Sequence, residues 1–148
     1  MKLKIDLQDI HLLKRYTWYI HVRGYVIADA PRKNGVRQTV FLHRLIAQPS
    51  AGQFVDHTNG VTSDNRRINL RVCNKSENAR NSKLYESSRS GFKGVSWHKA
   101  AKKWRAYITK APLKPLHLGL FNTKKDAARA YNEAALNYFG EFARLNIL

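Results

Sequence analysis

Apolar and polar positions along residues 16–42 fall into short alternating runs. YTWYIHV and GYVIADA are aromatic and β-branched stretches separated at Arg23 and Gly24, a pattern that predicts a hairpin. Asn34-Gly35 is a turn pair, and VRQTVFL after it returns as a further strand. LHRLIAQ changes to helical spacing and stops before Pro49, which predicts one or two helical turns. FVDH then reads as a short strand, Thr58 to Arg67 as a polar loop, and INLRVC as a second strand. Asn74, with Glu77 three residues later, forms a capping box that opens a helix running to about Lys83.

Residues 82–91, SKLYESSRSG, are rich in Ser and charge and read as a connecting stretch. FKGVSWHK, KWRAYITK and LHLGLF follow as three strand-like runs, with turns at Ala100-Ala101 and Pro112–Pro115. The closing segment TKKDAARAYNEAALNYFGE is a helix with Thr123 as N-cap, Asp126 in its first turn and Gly140 past its end. Ala127, Ala130, Tyr131, Ala134, Ala135 and Tyr138 form one stripe of that helix, small enough to lie close on a sheet. The fold class is α+β. A strand-rich region leads into a strand–loop–strand–helix core, and a three-stranded antiparallel sheet packed on one C-terminal helix follows. The expected division is 1–84, a linker at 85–90, and 91–148.

Charge changes the picture most. The 148 residues carry a net +17, which points to a polyanionic partner, nucleic acid before an anionic membrane. Residues 1–84 hold 15 Lys and Arg against 6 Asp and Glu, and residues 85–148 hold 12 against 4. Both halves share the excess, so it is not a basic tail. The single Cys73 excludes an intrachain disulfide and a cysteine-rich zinc module. MKLKIDLQDIH contains no long apolar run, so neither a signal peptide nor a membrane span is expected, and a reducing cytoplasm is.

Asp56 and His57 stand side by side and are followed by Asn59, Asn65, Asn69, Asn74, Asn78 and Asn81. A carboxylate and a carboxamide oxygen suit a hard divalent cation, and a neutral imidazole can take a proton from water. Asp56 and Asn78 are therefore candidate metal ligands and His57 a candidate general base. Asn69 can hold either the imidazole or the loop by a hydrogen bond. In a regular strand Asp56 and His57 point to opposite faces, so the strand must end or twist there to serve one site. Asn59 and Asn65 read as turn formers. His43 reads as a buried, hydrogen-bonded support, with contact to a phosphate beside Arg44 as the other possibility.

The text FLHRLI, VDHTNG, DNRRINLRVC and KSENARN resembles the HNH endonucleases in their homing-endonuclease branch, over about residues 40–81. That resemblance implies a ββα-metal core that cuts DNA. Position by position it makes Asp56 and Asn78 the ligands of one divalent cation, His57 the base and Asn69 the middle asparagine that orients it. Asn78 stands where many relatives have a histidine. This departure favours Mg²⁺, with Mn²⁺ as a substitute.

In KKWRAYIT, alternation separates Lys103, Arg105, Tyr107 and Thr109 from Trp104, Ala106 and Ile108, which leaves one basic open face. Residues 91–146, through FKGVSW, KWRAYI, HLGLF, DAARAYNEAAL and ARLN, resemble the plant APETALA/ethylene-response-factor DNA-binding domain. The resemblance puts Lys93, Ser96, His98, Arg105, Tyr107 and His117 on DNA-facing positions, and Lys103 joins them by alternation. Plant domains usually carry arginine at the positions of Lys93 and Ser96 and tryptophan at that of His117, so the plant target sequence does not transfer. Trp97 reads as core, with the groove-facing side of the sheet as the other possibility.

Together these imply a phage or bacterial homing endonuclease acting on double-stranded DNA in the cytoplasm of a bacterial or phage-infected cell. No membrane and no obligate protein partner are expected, and a monomer is favoured over a dimer. The alternative is a non-catalytic DNA-binding regulator built on an inactive HNH core.

Overall fold

The computed structural model describes residues 2–81, 88–109 and 114–148. The far end of the helix expected to reach Lys83, residues 85–87 of the expected linker and residues 112–113 of the Pro112–Pro115 turn lie outside the described residues. The chain divides into two compact units, Met1–Asn78 and Ala79–Leu148.

The first unit opens with an element that the alternation pattern does not announce, a 3-10 stretch over Leu7–Arg15. Leu12 buries from it into a cluster with Val26, Leu42 and Ile46. Three antiparallel strands follow in the order β1 (Trp18–Ile20), β2 (Val26–Lys33), β3 (Val36–Phe41). The β1–β2 turn closes with the His21 N–H donating to the Tyr25 carbonyl at 2.8 Å. Asn34 and Gly35 both take positive φ, 52° and 76°, as the tight turn between β2 and β3 requires. Pro31 cannot donate to a ladder, and the register of β2 on β3 slips between Ala30 and Lys33, where it sits.

A short helix, α1 (Leu42–Ala47), ends at Gln48 in a left-handed conformation. Strand β4 (Phe54–His57) then pairs antiparallel with β5 (Leu70–Cys73). Cys73 is buried at the end of β5. Helix α2 (Lys75–Arg80) starts with the expected reciprocal cap. The Glu77 N–H donates to Asn74 Oδ1 at 2.9 Å, and the Asn74 N–H donates to Glu77 Oε2 at 2.8 Å.

The second unit is one antiparallel sheet, β6 (Val95–His98), β7 (Lys103–Ile108) and β8 (Leu116–Phe121), covered on one side by α3 (Lys124–Phe139). Thr123 Oγ1 accepts the Asp126 N–H at 3.1 Å and Gly140 ends the helix with φ 52°, both as the sequence predicts. Ala106, Ala127, Ala128 and Ala135 are fully buried, so small side chains let helix and sheet approach closely. Gly94 lies at the tightest point. A Cβ there would come within 2.1 Å of the Tyr131 ring and 2.6 Å of the Tyr107 carbonyl. Asn146 closes the unit. Its side chain bonds the backbone of Lys93 at both N–H and carbonyl, and its own backbone bonds the Asn132 carboxamide.

Trp97 corrects the core expectation in part. The register pairs Val95 with Ala106 and Trp97 with Trp104, which puts Trp97 on the helix-covered face. It is nevertheless 48% exposed, stacked edge to face on Trp104 at 5.1 Å. The face is the core face, but cover runs out toward this end of the hairpin.

Candidate active site and nucleic-acid interface

Asp56 and His57 are the last two residues of β4, and the turn begins at once, with the Gly60 N–H donating to the His57 carbonyl at 2.8 Å. The strand ends where alternation would otherwise have sent the second side chain away. Both side chains are buried.

Asp56 is not idle. It faces Arg71 in register across the hairpin, and Arg71 donates Nε at 3.0 Å and Nη2 at 2.7 Å to Oδ2. This pair is almost wholly shielded from water, so each charge depends on the other. Arg71 was not among the expected site residues. The only sequence signal was its charge, within a short strand opposite an acid.

His57 packs among rings. His43 lies 5.1 Å away and Tyr25 5.9 Å away, both near perpendicular. Burial lowers its pKa, opposed by the Asn65 carboxamide and by the charges of Asp56 and Asp64. Burial therefore favours the neutral imidazole, and its Nε2 is shielded from solvent among these rings.

The loop after His57 is braced throughout. Asn69 donates from Nδ2 to the Asp64 carbonyl at 2.7 Å and accepts the Asn59 N–H at Oδ1, 2.9 Å. Its backbone carbonyl accepts the Thr58 N–H at 2.9 Å. These bonds hold the loop, and none goes to an imidazole. Buried Asp64 grips Arg66 with both oxygens, at 2.8 and 2.7 Å, and accepts from Asn59 Nδ2 at 3.1 Å. Asn59 also accepts the Val61 N–H, which completes a turn. Asn65 differs from its expectation as a turn former. It is fully buried and its φ is not positive.

The N-terminal segment straps this loop. Lys4 exchanges backbone bonds with Ser63 and Asn65, Asp6 Oδ2 accepts the Arg67 N–H at 2.7 Å, and Asp9 holds the Arg67 guanidinium at 2.6 and 2.8 Å. Nothing in local patterning pairs residues this far apart.

Asn78 lies on α2, half-buried, and shares with Phe54 and Val55 the wall of a groove of about 750 Å³. The donors expected to hold a cation are thus one carboxylate and one carboxamide, both hard oxygen donors that fit Mg²⁺ or Mn²⁺. Arg71 already engages Oδ2 of Asp56, so a cation there must share or displace it. Among the described residues no group of three or more His, Cys, Asp or Glu side chains is gathered for a metal.

On the second unit, the open sheet face brings together most of the residues expected to meet DNA. Ser96 pairs with Arg105, His98 with Lys103 and Tyr107 with His117. Arg105 donates to Ser96 Oγ at 3.3 Å and lies over the Tyr107 ring at 5.5 Å. His98 accepts the Ala101 N–H at Nδ1, which commits that nitrogen to the turn. Leu120, opposite Arg105, is an exposed apolar residue on this face that the sequence reading passed over. Lys93 stands outside the set. Its ammonium donates to the Arg80 carbonyl at 2.6 Å, and burial together with nearby Arg144 lowers its pKa to about 8.

Residues 40–80 match the family model of HNH endonucleases, and residues 90–141 match that of the AP2 domain. The chain joins an HNH endonuclease domain to an AP2 domain. The HNH match contains the whole β4–β5 hairpin, its loop and α2, and the AP2 match contains the sheet and all of α3. Protein 3.8 of Escherichia phage T7 is 38% identical over 58 residues, 39% of this chain and 48% of the phage protein. The match thus spans about half the length of that relative. An uncharacterized HNH endonuclease of Acanthamoeba polyphaga mimivirus is 24% identical over 142 residues, 96% of this chain and 73% of the relative. The HNH domain suggests nuclease activity and the AP2 domain DNA binding. Among the described residues no helix is long and apolar enough to cross a membrane.

Proposed function

We propose that the protein is a metal-dependent DNA endonuclease of the homing type, active in the cytoplasm of a bacterial or phage-infected cell. The observation that carries this reading is the buried, neutral imidazole of His57 beside a carboxylate at the end of a hairpin, inside the HNH match. His57 takes a proton from the water that attacks phosphorus. The new P–O bond forms as the bond to the 3′ oxygen breaks. Asp56 and Asn78 would hold one divalent cation, Mg²⁺ or Mn²⁺, which would supply Lewis-acid stabilisation of the charge on the phosphate oxygens and the leaving group. Asn69 fixes the loop and, through Thr58, the backbone just after His57.

Residues 1–84 cut, 85–90 join, and 91–148 hold the double-stranded DNA through Ser96, His98, Lys103, Arg105, Tyr107 and His117, with Lys93 at the margin. Joining two DNA-binding parts raises the effective concentration of each for the same duplex. One site in a monomer cuts one strand at a time, so the product is a nick.

Relaxation of supercoiled plasmid, with Mg²⁺ or with EDTA, tests this for wild type and His57→Ala. Nicking is expected only with metal and with His57 present. The Asp56–Arg71 ion pair favours a second reading, a non-catalytic DNA binder whose would-be metal carboxylate is committed to an arginine. Gel shifts without nicking in either Mg²⁺ or Mn²⁺ would select it.

A further inference from the structure

The groove that carries Asn78 is built from more than the HNH hairpin. Tyr19, Tyr25 and Phe41 of the first sheet line it, and so do His43 and Arg44 at the start of α1. Its charged lining is three arginines, Arg23, Arg37 and Arg44, against one carboxylate, Asp29. Arg37 is spent on Asp29. Arg23 makes no ion pair among the described residues, and Arg44 donates only to the Gln53 carbonyl, at 3.2 Å. Two uncompensated cations therefore face the same space.

His43 is the second observation, independent of charge. It is 6% exposed and its ring makes no hydrogen bond among the described residues. Its ring packs against those of Tyr25, Phe41 and His57. A buried polar group without a partner is costly, and a structural histidine normally has one. Nδ1 is sealed off. The ring can therefore meet a ligand only through Nε2, and His43 lines the groove.

We propose that this groove receives the phosphodiester backbone of the DNA next to the cleavage site, with Arg23 and Arg44 as cationic contacts and His43 Nε2 as a neutral hydrogen-bonding contact. The proposal rests on the DNA-cleaving reading for its substrate class and assigns that substrate a second anchorage, separate from the AP2 sheet. Arginine forks suit phosphate oxygens, and a neutral imidazole N–H donates to them without adding charge beside His57. The aromatic walls leave space for sugars and base edges.

The test uses the full chain and a fluorescein-labelled mixed-sequence DNA duplex in EDTA, read by anisotropy over a salt series. Arg23→Gln and Arg44→Gln are exposed changes. Lys14→Gln, an exposed cation elsewhere on the same unit, is the charge-matched control. Each arginine variant is expected to weaken binding about three- to tenfold and to flatten the log K against log salt plot by about one. The control should change neither by as much. Arginine variants that match the control would overturn the proposal.

His43→Phe keeps the ring contacts and removes the nitrogen. It is expected to weaken binding while melting near wild type, and wild-type binding by it would remove His43 from the proposal. Plasmid nicking is scored separately. Weakened arginine variants in a protein that never nicks would leave the groove standing and sink the nuclease. A nicking protein with unaffected arginine variants would do the reverse.

Discussion

Asp56 and Arg71 sit directly across the β4–β5 hairpin from each other, and the guanidinium gives two of its N–H groups to one carboxylate oxygen. The carboxylate proposed to hold a cation is thus held by a cation already. Removing one partner of a shielded pair costs about 3–5 kcal/mol. Arg71→Gln is accordingly expected to lower the melting temperature in EDTA. It should also enlarge the rise on adding Mg²⁺, because the metal no longer competes with an arginine and stabilises only the folded form. Calorimetric melts with and without Mg²⁺ check both, and an unchanged metal response would argue against Asp56 as a ligand.

Asp64 makes the loop sensitive to acid. Its hydrogen bonds to Arg66 hold its pKa at about 2, below the ordinary 3.8. A depressed folded pKa contributes stability that is fully present above the ordinary value and is lost as pH falls through the folded one. The stability of the first unit should therefore drop between about pH 4 and pH 2. Asp64→Asn, melted over the same range, should be weaker at neutral pH and show a shallower decline.

The N-terminal strap should govern order in the loop. Asp9→Ala leaves Arg67 without its bidentate partner, a charged bond of about 1.5–3 kcal/mol. Amide exchange is expected to quicken at residues 58–69 and to stay unchanged in α3. Uniform quickening would mean that the strap supports the whole chain instead.

Gly94→Ala should cripple the AP2 domain without touching the HNH hairpin. The new methyl meets the Tyr131 ring and the Tyr107 carbonyl, and φ at this position is 71°. Crowding and a left-handed backbone each cost about 1–3 kcal/mol. Weakened DNA binding in a gel shift, alongside an early transition for this unit in a melt, is the expected result.

Arg105→Ala probes the open sheet face. A single lost phosphate contact reduces the salt slope by about one, whereas a lost base contact relaxes sequence preference. Selection from a random duplex pool, before and after the change, separates the two.

Much of the local chemistry was legible in the sequence. The Asn74–Glu77 cap, the Asn34-Gly35 turn, the Thr123 cap and the alternation in β7 depend on residues within a few positions of one another. Steric and hydrogen-bonding rules at that range need no fold. The core reading of Trp97 found the right face. It could not supply the exposure, because that depends on how far the helical cover extends over the sheet. The HNH and AP2 motifs were likewise readable, since their spacing is a property of the chain.

Tertiary structure alone decided which distant charges meet. Arg71 on Asp56, Arg67 on Asp9 and the ring of His43 against His57 join residues 14 to 58 positions apart, on elements whose approach no local pattern encodes. Among the described residues the expected hydrogen bond of His43 is absent, its ring packing on aromatic rings instead, and the role of Asn69 falls to the loop because Asp64 and Asn59 are within reach. The sequence determined which groups are present and in what order. The fold determined which of them are shielded together, and shielding decides whether a charge is paired, an imidazole neutral, or a groove left open to an anion.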